Sequence, residues 1–132
     1  MLFRSVMNTF FLIGACLFII GLYVEIKADN QKSRFRSIPE NRDRFITEGL
    51  WSKSRHPNYF GEVLLWLGIA VMSVSALEGL QYITLISPIF TYLLLVHVSG
   101  VRMLEARANI KWGQDPEYKN YVENTPMLFP KL

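Results

Sequence analysis

RFITEGLWSKSRHPNYFGE, residues 44–62, decides how the chain must be read. Cations (Arg44, Lys53, Arg55), a histidine (His56), a proline (Pro57), an amide (Asn58) and acids (Glu48, Glu62) stand directly before a very apolar run. Charges gathered at the mouth of a hydrophobic segment are costly to bury and must be neutralised by a partner or a ligand. A site is therefore expected here.

On either side of this stretch, the chain carries three apolar segments: 6–26 (VMNTFFLIGACLFIIGLYVEI), 59–77 (YFGEVLLWLGIAVMSVSAL) and 82–101 (YITLISPIFTYLLLVHVSGV). Each approaches the ~20 residues that a helix needs to cross a bilayer core. The first has no Lys or Arg, and its first acid is Glu25. It is longer than the ~7–15 apolar residues of a signal peptide and lacks a small-x-small cleavage site, so it is predicted to be a retained helix. The link 78–81 is short, which predicts an antiparallel hairpin of the second and third spans, with Pro88 kinking the third.

The totals agree with a membrane chain. Of 132 residues, 51% are hydrophobic and 19% charged, with a mean hydropathy of +0.20. The length predicts one domain, residues 1–132. The expected fold class is all-α: an integral membrane helical bundle of three transmembrane helices plus short cytoplasmic helices. The net charge is +3, but the cations sit beside apolar segments. That favours a membrane surface or an anionic cofactor over nucleic acid. The single cysteine, Cys16, excludes an intrachain disulfide framework.

The polar loop 27–58 contains Lys27, Lys32, Arg34, Arg36, Arg42, Arg44, Lys53 and Arg55, and the tail adds Arg102, Arg107, Lys111, Lys119 and Lys131. The link 78–81 has no cation. The positive-inside rule then puts loop 27–58 and the C-terminus together on the cytoplasmic side. Pro39 is expected to end any helix that continues from the first span, and Pro57 fits the first turn of a new one. After residue 101 a polar amphipathic stretch is expected to stop at Gly113, followed by a short helix and an extended, proline-bounded end.

Two constellations carry chemistry. Glu25, Asp29, Lys32 and Arg36 are spaced four, three and four apart, which makes one stripe if the first helix outlasts the membrane. It reads either as a solvated face with internal ion pairs, or as Lys32, Arg34 and Arg36 gripping phosphates while the acids orient ribose. Arg55, Asn58, Tyr59 and Glu62 fall on one face at the start of the second helix. An acid as deep as Glu62 points to function, the alternatives being a pair with Arg55 or a helix cap. His56 and His97 read as structural, Tyr118 and Tyr121 as a packing face, and Trp51, Trp66 and Trp112 as interfacial anchors or packing. There is no glycine-rich phosphate loop, no metal-ligand cluster and no nucleophilic triad.

These residues together resemble the steroid 5-alpha-reductase C-terminal family, and within it the bacterial-type DUF1295 branch. The matching text is ADNQKSRFR at 28–36, RFITEGLWSKSRHPNYFGE at 44–62, SPIF at 87–90, SGV at 99–101 and LEARANIKWG…PEYKNYVENTP at 104–126, so it covers roughly 20–130. The RHPNYFG motif also looks like that of isoprenylcysteine and phospholipid methyltransferases, which bind S-adenosylmethionine in a related helical membrane core.

The resemblance implies an oxidoreductase acting on CH–CH donors in lipid metabolism. It would use NADPH to reduce a carbon–carbon double bond conjugated to a carbonyl in a steroid-like or other hydrophobic enone. Hydride would pass to the β carbon, and a proton donor would complete the α carbon. By position, Asp29, Arg36 and Arg44 match residues that hold the cofactor's phosphates and ribose, and Asn58 and Glu62 those at the nicotinamide end. Arg55, His56 and Tyr59 match the bacterial-type motif without an assigned role, although Arg55 and Tyr59 are counted with the cofactor-binding residues. Arg102 and Glu105 carry over less directly, because the steroid reductases have a more histidine-rich segment there. No residue is assigned a catalytic role.

Members of this family usually carry several more membrane helices before this region, and the groups that polarise the steroid carbonyl come from them. The expectation is therefore a cofactor half: a fragment or shortened form, or a chain that completes its pocket by self-association or with a second membrane subunit. The competing expectations are a methyltransferase using S-adenosylmethionine and a non-catalytic homologue that needs a partner.

Overall fold

The computed structural model describes residues 2–74, 86–98 and 100–131, and all regular structure among them is helical. The first helix, α1 (Leu2–Arg36), sets the scale. Its 35 residues reach about 52 Å at 1.5 Å per residue. That is well beyond a hydrocarbon core of ~30 Å. The surplus is the polar end, so the 25/29/32/36 stripe does continue as one helical face beyond the apolar segment. The helix stops where proline dictates: Ile38, just before Pro39, is extended at φ −85° and ψ 118°. Ser37 Oγ donates to the freed Arg34 carbonyl at 2.7 Å.

The second helix, α2 (Pro57–Ser73), starts with Pro57 in its first turn, as its fixed φ and missing N–H favour. It runs antiparallel along α1 on a seam of glycines. Gly14 and Gly21 on α1 meet Gly68 and Gly61 on α2, each pair seven residues apart. A Cβ placed on Gly21 would lie 2.5 Å from Leu65 N and 2.6 Å from Gly61 O. One placed on Gly68 would lie 2.5 Å from Phe18 N. The backbones touch because nothing stands between them, which is how small residues associate helices where lipid removes the hydrophobic drive. Ala28, one further heptad along α1, is fully buried under Trp51, whose Nε1–H donates to the Ala28 carbonyl at 3.0 Å.

Next come α3 (Ser87–Leu93), a π-helical turn at Leu94–Val98, and α4 (Gly100–Trp112). Pro88 occupies the first turn of α3. The part of the 82–101 run before Ile86 lies outside the described residues, and the expected kink at Pro88 with it. The end of the 59–77 run and the 78–81 link lie outside the described residues, and the hairpin expectation with them. Helix α4 stops before Gly113, and α5 (Pro116–Asn124) is capped by Asp115, whose side chain accepts from Glu117 N.

Among the described residues two helices are long and apolar enough to cross a membrane, Thr9–Arg36 and Pro88–Trp112. Only 11% and 12% of their apolar windows is buried inside the chain. The helices are therefore not the core of a water-soluble domain. Their outer faces, with Phe11, Leu12, Ile19 and Ile20 exposed, need an apolar surrounding.

The polar end is closed by the tail. Arg55 N–H donates to Pro126 O at 2.8 Å, Lys131 N–H to Lys53 O at 3.0 Å and Ser54 Oγ to Leu128 O at 2.7 Å. Leu128 packs with Val96 and Val101 in a small core that Tyr59, Phe60 and Tyr92 flank. Residues 125–131 thus form a strap that fixes the stretch immediately before α2.

Candidate functional site

The elements converge on a cleft of about 400 Å³ at the polar end of α1. Helix periodicity selects its walls. Lys32, Phe35 and Arg36 come from one face of α1, and Leu104, Arg107, Ala108 and Lys111 from one face of α4. The loop between α1 and α2 contributes Arg44, Phe45, Trp51, Arg55 and His56, with Asn58 from the first turn of α2. Tyr118 and Tyr121 of α5 complete it.

Aromatic rings brace this frame. Phe45 lies edge-on to Trp112 and Tyr118 at 5.6 and 5.1 Å, and stacks on Tyr121 at 5.7 Å. Trp112 Nε1–H donates to the Asp43 carbonyl at 2.9 Å. Tyr121 O–H donates to the Trp51 carbonyl at 2.5 Å. Burial pushes the Tyr121 phenol well above the ordinary tyrosine range, so it stays a donor, and burial likewise raises Tyr118. Gly49, at φ +63°, turns the loop tightly enough for Leu50 N–H to reach Gln31 Oε1 at 2.9 Å.

The cleft's charge is unbalanced. It is lined by Lys32, Arg36, Arg44, Arg55, Arg107 and Lys111, against the single acid Glu105. Arg55 Nη1 bonds Glu105 Oε1 at 2.6 Å, His56 Nε2 lies 3.2 Å from the same oxygen, and Arg55 Nε donates to Thr125 O at 3.1 Å. Lys111 Nζ reaches Asp43 at 3.4 Å. Lys32 lies over the Trp51 ring, 5.3 Å from its centre. Among the described residues, Lys32, Arg36, Arg44 and Arg107 have no carboxylate within ion-pair distance.

One polar atom is also unsatisfied. Asn58 Nδ2 donates to Asp29 Oδ1 at 3.3 Å, but Asn58 Oδ1 is buried without a partner among the described residues. A buried acceptor left open costs ~1–3 kcal/mol and invites an N–H donor.

The predicted site residues separate into groups. Arg36, Arg44, Arg55, Asn58 and Glu105 meet in the cleft. Asp29 stands behind it, held to Asn58. Tyr59 stacks on the His56 ring at 5.9 Å and packs towards Gly100. Glu62 is half-buried near Glu25 at the mouth of the glycine seam. Arg102 is exposed on α4 and is not part of the cleft wall.

The expectation that Arg55 shares a helix face with Asn58, Tyr59 and Glu62 is corrected, because α2 begins at Pro57. Arg55 lies in the preceding loop and turns towards α4 and the tail. The alternative of a Glu62–Arg55 pair falls with it, since Arg55 is paired to Glu105. Trp51 is buried in the loop and not an interfacial anchor, because its indole N–H finds an acceptor on α1. Sequence reasoning missed Arg107 and Lys111 as cleft residues. Their signal was the 104/107/108/111 spacing on α4.

Comparison with known proteins gives this site its setting. A family model described as "Protein of unknown function (DUF1295)" matches residues 3–125. A steroid 5-alpha-reductase of Arabidopsis thaliana is 43% identical over 67 residues, covering 49% of this chain and 25% of the relative. The 3-oxo-5-alpha-steroid 4-dehydrogenase 1 of Bos taurus is 27% identical over 122 residues, covering 92% of this chain and 42% of the relative. A probable O-methyltransferase of Ustilaginoidea virens is 29% identical over 78 residues, covering 59% of this chain and 28% of the relative. The chain thus spans less than half the length of these relatives. No solved structure matches it.

Proposed function

The chain belongs to the DUF1295 family, and we propose that it is the cofactor-holding part of an NADPH-dependent membrane reductase. Its substrate would be a hydrophobic enone, steroid-like or another lipid, whose conjugated carbon–carbon double bond is saturated. The observation that carries this reading is the surplus of cations in the cleft. Arg55 is matched by Glu105 and Lys111 by Asp43, which leaves Lys32, Arg36, Arg44 and Arg107 facing one space. The pyrophosphate diester of NADPH carries about two negative charges and its 2′-phosphate monoester about 1.5–2 more, roughly four in all. Arginine forks suit such groups.

When bound, NADPH supplies a hydride. This chain's residues supply the rest. The four cations hold phosphate, Asn58 Oδ1 accepts an amide N–H, and Asp29 orients Asn58. Glu105, fixed between Arg55 and His56, keeps Arg55 pointed into the cleft. We place three spans at 6–26, 59–77 and 82–101, with loop 27–58 and the C-terminus cytoplasmic. Groups that polarise the substrate carbonyl would come from further membrane helices, from a second copy or from a partner subunit.

The test is a titration of the purified chain in detergent with NADPH and with S-adenosylmethionine. NADPH binds and S-adenosylmethionine does not displace it. Failure to bind NADPH with the helical circular-dichroism signal intact overturns the proposal. The methyltransferase reading draws on the O-methyltransferase relative and predicts the reverse result. A cationic sulfonium, however, suits a cleft with surplus positive charge poorly. A non-catalytic homologue would bind neither.

A further inference from the structure

The stripe of Glu25, Asp29, Lys32 and Arg36 has a counterpart on the far side of α1. Gly14, Gly21 and Ala28 mark the side of this helix that is turned to the rest of the chain. About half a turn away lie Ile19, Tyr23, Lys27, Asn30 and Arg34, all exposed. The last four are spaced four, three and four apart, so they share one face. Charge is sorted across the helix. The acids of these turns lie towards α2, where Asn58 holds Asp29 and Glu25 stands against Gly61. The cations Lys27 and Arg34 lie outward. Among the described residues neither has a carboxylate within ion-pair distance.

The outward face is also graded along the helix. The apolar segment 6–26 matches a hydrocarbon core of ~30 Å at 1.5 Å per residue. Tyr23 stands one turn inside its edge and Lys27 just outside it. That is the level of the lipid headgroups, where tyrosine is favoured and a long basic side chain reaches water. Here the two side chains touch: Lys27 Nζ donates to the Tyr23 hydroxyl oxygen at 3.2 Å. The hydroxyl keeps its own proton as a donor and the ammonium keeps two, with no acceptor among the described residues. Two adjacent donors carrying one positive charge, at the depth of the lipid phosphates, complement a phosphate oxygen. Arg34, two turns further out, adds positive potential over the same headgroup.

We propose that Tyr23 and Lys27 bind the phosphate of an anionic phospholipid in the leaflet beside loop 27–58. The proposal uses the membrane placement of α1 and is independent of the NADPH reading.

The test titrates the full chain in a neutral detergent with phosphatidylglycerol or phosphatidylcholine, and counts bound lipid by native mass spectrometry. The wild type binds its first phosphatidylglycerol about fivefold more tightly than phosphatidylcholine, the scale of one basic group near an anionic surface. Lys27→Ala abolishes the preference, and Lys27→Gln serves where the alanine variant does not fold. Tyr23→Phe, which leaves the charge unchanged, weakens phosphatidylglycerol binding about threefold, the scale of one hydrogen bond. Lys119→Ala, an equal loss of charge on α5, behaves as the wild type. Equal affinities in the wild type, an unchanged Tyr23→Phe, or a preference that survives at Lys27 or falls equally with Lys119→Ala overturns the site. A concentration-dependent dimer that Lys27→Ala abolishes gives this face to a second copy, and overturns it too. Each of these outcomes leaves the membrane span standing. A chain that stays monomeric in water without detergent overturns both.

Discussion

The glycine seam between α1 and α2 and the cationic cleft above it are built by opposite means. At the seam, Gly14, Gly21, Gly61 and Gly68 bring two backbones together by having no side chain, so its specificity lies in what is missing. In the cleft, cations, aromatic rings and one unsatisfied amide hold an open space, and specificity lies in what is present and unmatched. The seam leaves no room for a ligand. The cleft presents unpaired cations that an anionic ligand would balance. Stability and binding should therefore respond to separate sets of substitutions.

The largest effect is expected at the seam. Gly21→Leu places a branched side chain where even a Cβ would be 2.5 Å from Leu65 N. It should destabilise the helix pair by about 3 kcal/mol or more, seen as a large fall in the thermal midpoint in detergent. Arg55→Ala comes next. It removes the bond to Glu105 and the anchor on Thr125, and should cost about 2 kcal/mol. Limited proteolysis of the 125–131 strap would report it as faster cleavage.

Tyr121→Phe, which removes the donor to Trp51 O, should cost about 1 kcal/mol. Its pH signature has a definite sign. Burial raises the folded-state pKa of this phenol. Its contribution is therefore complete below the ordinary tyrosine value of ~10 and is lost as pH rises beyond it. Stability curves of the wild type should fall there, and those of Tyr121→Phe should fall less. The smallest effect on stability belongs to Lys111→Ala. The Lys111–Asp43 pair is exposed, and its loss should move unfolding by no more than ~0.5 kcal/mol.

This division also explains what the sequence disclosed. Apolar length disclosed the helical membrane character, and Pro39, Pro57 and Gly113 marked helix ends that the structure bears out. Charged and amide side chains announce themselves, so Arg36, Arg44, Asn58 and Glu105 were legible as candidates. The seam was not, because a glycine seven residues from another looks like ordinary apolar text until the facing helix supplies its partner. Arg107 and Lys111 were hidden for a related reason. Their face of α4 acquires meaning only when α1 and the 44–58 loop stand opposite. The aromatic frame around Phe45 depends on contacts from loop, α4 and α5 together, which no local pattern encodes.

The most direct test measures NADPH affinity and the thermal midpoint on the same samples of wild type and Arg36→Ala. Arg36 lines the cleft, lies on the exposed end of α1 and has no ion-pair partner among the described residues. The account predicts an affinity about tenfold weaker, the scale of one charge-assisted phosphate contact, with the midpoint essentially unchanged. Unchanged NADPH affinity, or a loss that merely follows a lowered midpoint, would contradict it.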